Sequence, residues 1–397
     1  MATESPPEAA ASTSQPSVPL TNGLKKVYRP RYVDIGINLT DPVFTGLYHG
    51  TQRHPNDLSG ILQRAKEAGC EKLIVTGSDL HESRKAIELA KEHPGIIYAT
   101  IGVHPCNCLQ FTTSDNPQIM LDAVRKLAIE AKGEGHAVAF GEIGLDYDRL
   151  EHCPKDLQLQ YFEAQLQIAV DVNLPLFLHS RAAHADFISI LNKFSDRLPR
   201  KGVVHSFTGT KEEMLELVEH GWDIGINGCS MKTEQNCEVV RNVPLERLQV
   251  ETDGPWCEMR PSHASQDYLL TMGVGIKTLK ISNKANGKPN GKPKGGDQTP
   301  LAGKENEKTA DTPDVPTKES EEEPRQEDQN GELREWKSVK KERWAEGLMI
   351  KGRNEPCMIG HVAWAVAGIK GVPVKEVAEA AWANSVKMFG VGGDIKS

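Results

Sequence analysis

The sequence has few aromatic residues, no long apolar run and no excess of positive charge. Aromatic residues make up 6% and hydrophobic residues 38% of the 397 residues, so part of the chain is too polar to pack into a core. No stretch approaches the ~20 consecutive apolar residues of a membrane span. The net charge of −8 gives the whole molecule no attraction for nucleic acid or anionic membranes, so a phosphate-bearing ligand requires a local site.

Cysteine spacing and the first residues exclude two further classes. The eight cysteines show no Cys-x-x-Cys spacing, which in a chain of this length indicates reduced thiols. The start, MATESPPEAAASTSQPS, has no basic or apolar region and carries acids without arginine, so neither a secretory signal nor a mitochondrial transit peptide is predicted. We expect a soluble, intracellular protein of the cytoplasm, the nucleus or both. No membrane association and no obligate protein partner are indicated.

Short apolar, β-branched-rich runs alternate with segments of helical periodicity such as 157–170 and 211–220. This alternation predicts βαβ units and a parallel sheet. Eight units in roughly 250–300 residues favour a closed (β/α)₈ TIM barrel over an open doubly wound sheet. No Gly-x-Gly-x-x-Gly follows the first strand, which removes the main argument for a dinucleotide-binding fold. The predicted strands are 32–38, 72–76, 96–102, 137–142, 174–179, 202–206, 222–227 and 247–253.

Two segments have compositions that cannot support a packed core. Residues 1–28 are rich in Pro, Ser and Ala and have no periodicity, and residues 274–335 contain no aromatic residue. We predict a disordered tail at 1–28 and a disordered, low-complexity insertion at 274–335. The insertion would divide one barrel domain into residues 29–273 and a closing pair of helices within 336–397.

Polar side chains follow most of the predicted strands. The carboxyl ends of barrel strands are where the active sites of this fold lie. A single histidine there is more often structural, but two histidines and two carboxylates from four strands have the ligand types of a divalent-metal site. The residues at or just beyond the strand ends are Asp34, Asn38, Thr76, His104, Glu142, His179, His205 and Asp253.

These residues fall within a set of recognisable motifs. The combination resembles the TatD-type metal-dependent deoxyribonucleases over about residues 30–265 and 335–392, and INLTDPVF and ETDGPWC are most similar to the eukaryotic TatD DNase domain-containing branch. The motifs are DIGINLTD at 34–41, GVHP at 102–105, GEIGLDY at 141–147, LHSR at 178–181, HSFTGT at 205–210, ETDGPW at 251–256, KGRNEP at 351–356 and NSVKMFG at 384–390.

The resemblance implies a two-metal site and a role for each ligand. Glu142 would join the two metals, and His179 and His205 would bind the firmer one. Asp253 would bind the other metal or act as the general base that orients the attacking water. Such a metal pair activates water and stabilises the transition state of phosphodiester hydrolysis. Glu142 and Asp253 are therefore the expected catalytic residues.

Further residues are expected to contact substrate. His104 and Arg181 would bind the phosphate, since a guanidinium can donate two parallel hydrogen bonds. The alternative for Arg181 is a salt bridge with a neighbouring carboxylate. The turn at 208–210 could add backbone N–H donors. Tyr147 and Trp256 are candidates for base stacking, with plain packing as the alternative.

The sequence departs from many relatives at the first strand. A His-x-His pair is common there, whereas this chain has Gly36-Ile37-Asn38; TatD proteins proper also have Asn at this place. Asn38 would be a weak ligand with a neutral oxygen, which suits Mg²⁺ or Mn²⁺ better than tightly held Zn²⁺. We expect one firm metal site and a second that fills when substrate phosphate binds. Asp34 is expected to support the site rather than to bind metal.

The function that the resemblance implies is a deoxyribonuclease. We expect a 3′–5′ exonuclease on single-stranded or frayed ends, with endonuclease activity and RNA as further options, because a barrel mouth admits a strand end more easily than a duplex interior. One alternative is a metal-dependent hydrolase of another ester or amide, amidohydrolase-like or an aminoacyl-RNA deacylase. Another is a non-catalytic interaction protein, for which degraded ligands would be expected.

Overall fold

The computed structural model describes residues 28–113, 115–274 and 330–392. Eight parallel strands follow one another around one sheet in chain order, as in a (β/α)₈ barrel, which confirms the predicted fold. Each predicted strand is present, with ends displaced by a few residues. The barrel strands are β1 (Tyr32–Ile37), β2 (Cys70–Val75), β3 (Ile97–Ile101), β4 (Ala137–Asp146), β5 (Leu176–Arg181), β6 (Gly202–Val204), β7 (Asp223–Ile226) and β8 (Leu248–Val250).

Helices follow the strands and cover the barrel. Two of them contain the segments of helical periodicity, and Thr210 caps the later one by accepting the backbone N–H of Glu213 while the Glu213 carboxylate accepts that of Thr210. The helices are α1 (Leu58–Glu67), α2 (Leu80–Glu92), α3 (Pro117–Gly133), α4 (Lys155–Val172), α5 (His184–Phe194), α6 (Lys211–Glu219), α7 (Glu234–Asn242), α8 (Ser265–Thr271), α9 (Ile359–Lys370) and α10 (Val374–Phe389).

Strand β4 is longer than predicted and ends at Asp146 instead of Glu142. Its register against β5 shifts between Gly141 and Ile143. At Gly141 and Gly144, with φ of 151° and 147°, a Cβ would lie 2.0 Å and 1.9 Å from carbonyl oxygens of β5, so only glycine fits. The prediction that Glu142 closes the strand is therefore wrong, because this bulge lets the strand continue and places Asp146 at its end.

The seam between β1 and β8 is closed just beyond the strands. The backbone N–H of Asp253 donates to the carbonyl of Gly36 at 2.8 Å, and that of Asn38 donates to Gly254 at 2.9 Å. The described strands include no ladder between β1 and β8, so these two bonds complete the barrel at its carboxyl end. They also place Asn38 beside Asp253.

The interior of the barrel is apolar at the end opposite the predicted site. Val33, Ile35, Ile74, Phe177 and Val203 are buried in one cluster, which Phe389 and Val391 of the C-terminal segment extend. Burial of such side chains contributes roughly 1.5–3 kcal/mol each. The other face of the sheet packs against the helices in a larger core.

The C-terminal helices cover the outside of the seam. The side-chain amide of Asn384 on α10 donates to the carbonyls of Leu245 and Leu248, each at 2.8 Å. Ahead of these helices, Arg334 pairs with Glu67, and Asn330 accepts the backbone N–H of Val374. Residues 1–27 of the predicted tail at 1–28, and residues 275–329 of the predicted insertion, lie outside the described residues.

A buried ion cluster fastens the segment before α9 to the barrel. Arg64 of α1 pairs with Asp57 at 2.9 Å and with Glu355 at 2.8 Å, and Arg353 pairs with the same two carboxylates. All four side chains are at most 4% exposed, so each charge depends on its partners.

Among the described residues, no single helix is long and apolar enough to cross a membrane. The helices at 356–370 and 374–389 reach the required length and apolar composition only when they are taken together, and the chain bends by 117° between them.

Candidate active site

Glu142 lies at the centre of a group of imidazoles at the carboxyl end of the barrel. Its Oε1 atom is 2.7 Å from Nε2 of His205, 2.9 Å from Nδ1 of His179 and 3.4 Å from Nε2 of His104. These side chains come from β4, β5 and the turns after β6 and β3, so the fold brings together residues that are up to 101 positions apart. The structure thus brings together four of the residues that the sequence predicts for the site.

His104 differs from the other two histidines in its hydrogen bonds. Its Nδ1 accepts the backbone N–H of Cys106 at 3.1 Å. A neutral imidazole has one donor and one acceptor nitrogen, so Nε2 carries the proton and points at Glu142 as a donor. The pKa of His104 is lowered to about 4 by burial, which keeps the ring neutral. Its geometry suits a hydrogen bond to an anion better than a bond to a metal.

Asp146 was not predicted as a site residue. Its Oδ2 atom lies 3.2 Å from Nε2 of His179, on the side of the ring opposite Glu142. A carboxylate on the second nitrogen fixes the orientation of a metal-binding imidazole. Asp146 stands four residues after Glu142 in the sequence, an even spacing that places two side chains on the same face of a regular strand. That spacing within GEIGLDY is the signal that could have identified it.

Charges within this group act on each other. Burial raises the pKa of Glu142, but the charge of His205, the proximity of the His104 ring and the hydrogen bonds from His179 and His205 outweigh it and hold the pKa well below its usual value. Burial lowers the pKa of His205, but Glu142 and Glu251 outweigh it and raise the pKa well above its usual value. The cluster is therefore arranged around an ionised carboxylate.

Asp253 lies beside this cluster on the seam. It adopts a left-handed backbone with φ of 53°, and its carboxylate accepts the Asn38 amide at 3.1 Å and the Cys257 thiol at 3.2 Å. Its pKa is raised to about 7, chiefly by burial, with the carboxylates of Glu251 and Glu142 adding to the rise and His205 opposing it. The side-chain nitrogen of Asn38 is directed at Asp253. In this structure Asn38, predicted as a weak metal ligand, therefore donates a hydrogen bond to Asp253, the predicted general base.

Glu251 was also missed by sequence reasoning. It is fully buried, its Oε1 accepts the backbone N–H of Ser206 at 2.5 Å, and its Oε2 lies 3.4 Å from Nδ1 of His205. Neither Oε2 of Glu251 nor Nδ1 of His205 has a hydrogen-bond partner among the described residues. Asp34 accepts both the backbone N–H of Thr252, at 2.9 Å, and the Thr252 hydroxyl, so it contacts the residue that precedes Asp253.

The predicted substrate residues lie in different surroundings. Arg181 donates to the hydroxyl of Thr208 and, at 3.3 Å, to the carbonyl of Ser206. It forms no ion pair with any described carboxylate, so the salt-bridge alternative is not seen. The Tyr147 hydroxyl donates to Asp186 at 2.7 Å and Lys155 covers its ring, which favours packing, whereas Trp256 is 59% exposed beside Asp253.

Among the described residues, two groups of side chains could hold a divalent cation. One contains Glu142, His179 and His205, and the other contains His104, Asp146 and His179, with ligand atoms within 4.8 Å of one another in each. The first group fits a metal better, because the hydrogen bond to Cys106 makes Nε2 of His104 a donor in the second. Two imidazoles and a carboxylate are ligand types of divalent transition metals.

The barrel and its His/carboxylate cluster define a metal-dependent hydrolase class. The sequence profile described as TatD related DNase matches residues 33–281. The chain belongs to this family, which confirms the resemblance and the predicted class, a TatD-type nuclease.

Relatives extend the match over most of the chain. The chain is 42% identical over 360 residues to the deoxyribonuclease Tat-D of Schizosaccharomyces pombe, covering 90% of this chain and 96% of that protein. It is 37% identical over 226 residues to the 3′-5′ ssDNA/RNA exonuclease TatD of Escherichia coli, covering 56% and 78%. A solved structure, of an uncharacterized amidohydrolase from Saccharomyces cerevisiae, matches with a TM-score of 0.69 and 32% identity over 91% of this chain and 100% of that one.

Proposed function

We propose that this protein is a divalent-metal-dependent deoxyribonuclease that removes nucleotides from the 3′ ends of single-stranded or frayed DNA. The observation that carries the proposal is the buried group in which Glu142 faces the imidazoles of His179 and His205, with Asp253 on the adjacent seam. Mg²⁺ or Mn²⁺ is favoured over Zn²⁺ because Asp253 supplies carboxylate oxygen atoms on that side.

Glu142, His179 and His205 would hold the first metal, and Glu142 with Asp253 would hold a second. A bound pair supplies Lewis-acid stabilisation of the phosphoryl oxygen and a water of lowered pKa. Asp146 orients His179 through the ring nitrogen that faces away from Glu142. Glu251 lies 3.4 Å from Nδ1 of His205, the ring nitrogen that faces away from Glu142, and is placed to orient that imidazole.

Asp253 is proposed to accept the proton of the attacking water. Burial raises its pKa to about 7, the range in which a carboxylate is an effective general base near neutral pH. Asn38 and Cys257 each donate to one of its oxygens, which orients the carboxylate.

His104 and Arg181 are proposed to bind the scissile phosphate. Nε2 of His104 is a fixed donor because its other nitrogen accepts from Cys106. Arg181 is held by Thr208 and Ser206, and without a carboxylate partner among the described residues its charge is available to an anion. Trp256, exposed beside Asp253, is proposed to stack on the terminal base.

Several relatives are named deoxyribonucleases, and bacterial ones 3′-5′ ssDNA/RNA exonucleases, which supports DNA as substrate and RNA as a second one. Polarity and strand preference can be tested together. Purified protein is incubated with single- and double-stranded DNA or single-stranded RNA, labelled at the 5′ or 3′ end, with Mg²⁺, Mn²⁺, Zn²⁺ or EDTA. A ladder that shortens from the 3′ end, needs a metal and is strongest on single strands is the expected result.

A Glu142→Gln variant is the control for contaminating nuclease, since it keeps the shape of the side chain. Metal-independent cleavage, or the same cleavage by this variant, would contradict the proposal. A closed circular single strand has no end from which an exonuclease can start. Cleavage of such circles, without shortening of linear strands from the 3′ end, would show an endonuclease instead of an exonuclease.

A further inference from the structure

A basic cavity lies on the rim of the barrel mouth, outside the cluster around Glu142. It has a volume of about 310 Å³ and is lined by Tyr48 of the loop after β1 and by Lys340, Lys341, Lys351 and Arg353 of the segment before α9. The site described above uses none of these residues. We call this feature the rim cavity.

Contacts place the rim cavity on the side of the mouth that carries Asn38 and Asp253. The ammonium of Lys341 lies 4.6 Å from the centre of the Tyr48 ring, and Trp344 stacks on His54 of the same loop at 5.7 Å. That loop begins directly after Asn38 at the carboxyl end of β1. The segment before α9 is thereby fixed against the loop that leaves the active site.

The other wall continues towards Asp253. Asn354, which follows Arg353, donates its backbone N–H to the carbonyl of Pro255 at 3.1 Å and its side-chain amide to Thr252 at 2.8 Å. These two carbonyls lie on either side of Asp253 in the chain. The segment that lines the rim cavity is therefore hydrogen-bonded to the backbone on both sides of the proposed catalytic carboxylate.

The charges of the rim cavity are not balanced within the protein. Lys340, Lys341 and Lys351 form no ion pair in the ranges that the structure describes, and one carboxylate, that of Glu342, lines the same cavity. The fourth cation, Arg353, is buried and neutralised by its partners in the ion cluster. Three free ammonium groups on a chain with a net charge of −8 form a local attraction for phosphates.

We propose that the rim cavity binds backbone phosphates of the substrate strand at nucleotides beyond the one being cleaved. This inference rests on the proposed nuclease function and extends it to a second contact region for a polynucleotide. A strand held there and at the metal cluster is bound at two points, so long substrates bind more tightly than short ones. The lysine contacts are electrostatic and do not depend on base identity.

The test uses the full chain with all three lysines changed to glutamine, Lys340→Gln, Lys341→Gln and Lys351→Gln. The control changes Lys91, Lys126 and Lys193 to glutamine; they lie on α2, α3 and α5 and alter the net charge equally. Binding of a labelled single-stranded oligonucleotide of about 20 nucleotides is measured by fluorescence anisotropy in EDTA over a range of salt concentrations.

The rim variant is expected to bind about tenfold more weakly at 0.1 M salt. Its plot of log Kd against log salt concentration should be shallower by about 2, since each phosphate contact to a single strand contributes about 0.7. The control variant should bind like the wild type. Equal weakening in both variants, or none in the rim variant, would overturn the proposal.

Kinetics with Mn²⁺ give a second readout. In the rim variant KM for the long strand should rise about tenfold at unchanged kcat, while both constants for a dinucleotide stay the same, because a dinucleotide is too short to occupy both contacts. An equal rise in KM for both substrates would contradict a separate contact region. If the wild type cleaves neither substrate, the proposed function fails, and the binding measured in EDTA still decides whether the rim cavity holds a strand.

Discussion

Asn354 holds the backbone on both sides of Asp253, although the two residues are 101 positions apart in the chain. Its side-chain amide donates to the carbonyl of Thr252 at 2.8 Å and its backbone N–H to that of Pro255 at 3.1 Å. Asn354 itself lies between the buried ion-cluster residues Arg353 and Glu355. The left-handed backbone of Asp253 is thus supported by a segment anchored elsewhere in the barrel.

Replacement of Asn354 by alanine is expected to lower kcat roughly 10- to 100-fold, because misplacement of a catalytic group by about 1 Å can cost that much. It should also destabilise the fold by about 1 kcal/mol through the unpaired Thr252 carbonyl. The matched control is Asn384→Ala, which removes similar amide bonds to Leu245 and Leu248. An equal loss of stability in both variants with kcat unchanged in Asn354→Ala would limit Asn354 to a structural role.

Asp253→Asn keeps the shape of the side chain and removes its charge. Loss of general-base action should lower kcat by about 10²–10⁴-fold or more, while binding of single-stranded DNA in EDTA survives. The control for the loss of a buried charge is Asp223→Asn. Asp223 is a buried residue of β7, and its carboxylate pairs with Arg247. Wild-type turnover by Asp253→Asn would exclude this residue as base or metal ligand.

Arg181→Ala should raise KM with little change in kcat if the guanidinium binds the phosphate equally in the ground and transition states. A fall in kcat as well would show that it contacts charge that develops during the reaction. Steady-state kinetics on single-stranded DNA separate the two results. Arg197→Ala, at an exposed arginine bonded to Gln167, should leave both constants unchanged. Unaltered kinetics in Arg181→Ala would remove this residue from the site.

Metal binding can be followed without any substrate. Glu142→Gln is expected to weaken Mn²⁺ binding at least tenfold in calorimetric titrations, because a neutral amide replaces the carboxylate that faces His179 and His205. Glu163→Gln, at an exposed residue of α4 paired with Lys193, serves as the control. Identical Mn²⁺ affinities for the Glu142 variant and the wild type would place the metal elsewhere.

The pH dependence of stability should depend on His361. Nδ1 of this α9 residue is buried without a partner among the described residues, and burial lowers the pKa from 6.5 to about 4. The unfolded chain then takes up the proton first, so stability is lost as the pH falls from about 6.5 to about 4.

Between pH 7 and 5 this loss amounts to roughly 2 kcal/mol for the single group. Urea unfolding of His361→Leu at these two pH values should show a smaller decrease in the free energy of unfolding than the wild type. The exposed His152→Leu is the comparison. Equal decreases in the wild type and in His361→Leu would mean that His361 is protonated alike in both states.

The barrel and the central part of its site could be predicted from the sequence. Short apolar runs alternating with helical periodicity indicate strands and helices locally, and the carboxyl ends of parallel strands must meet at one end of a barrel. That reasoning alone placed Glu142, His179 and His205 together. In the structure, Oε1 of Glu142 lies 2.9 Å from Nδ1 of His179 and 2.7 Å from Nε2 of His205.

The remaining members of the site depended on the tertiary structure. Asp146 reaches His179 because a bulge at Gly141 prolongs β4, and Glu251, which follows β8, reaches His205, which follows β6, across the intervening strand β7. Asn354 and the rim lysines approach the mouth only after the chain has passed through the insertion. A local pattern sets the direction of a side chain, whereas a distance between residues remote in sequence is set by barrel closure and by packing of the C-terminal segment, which no local pattern records.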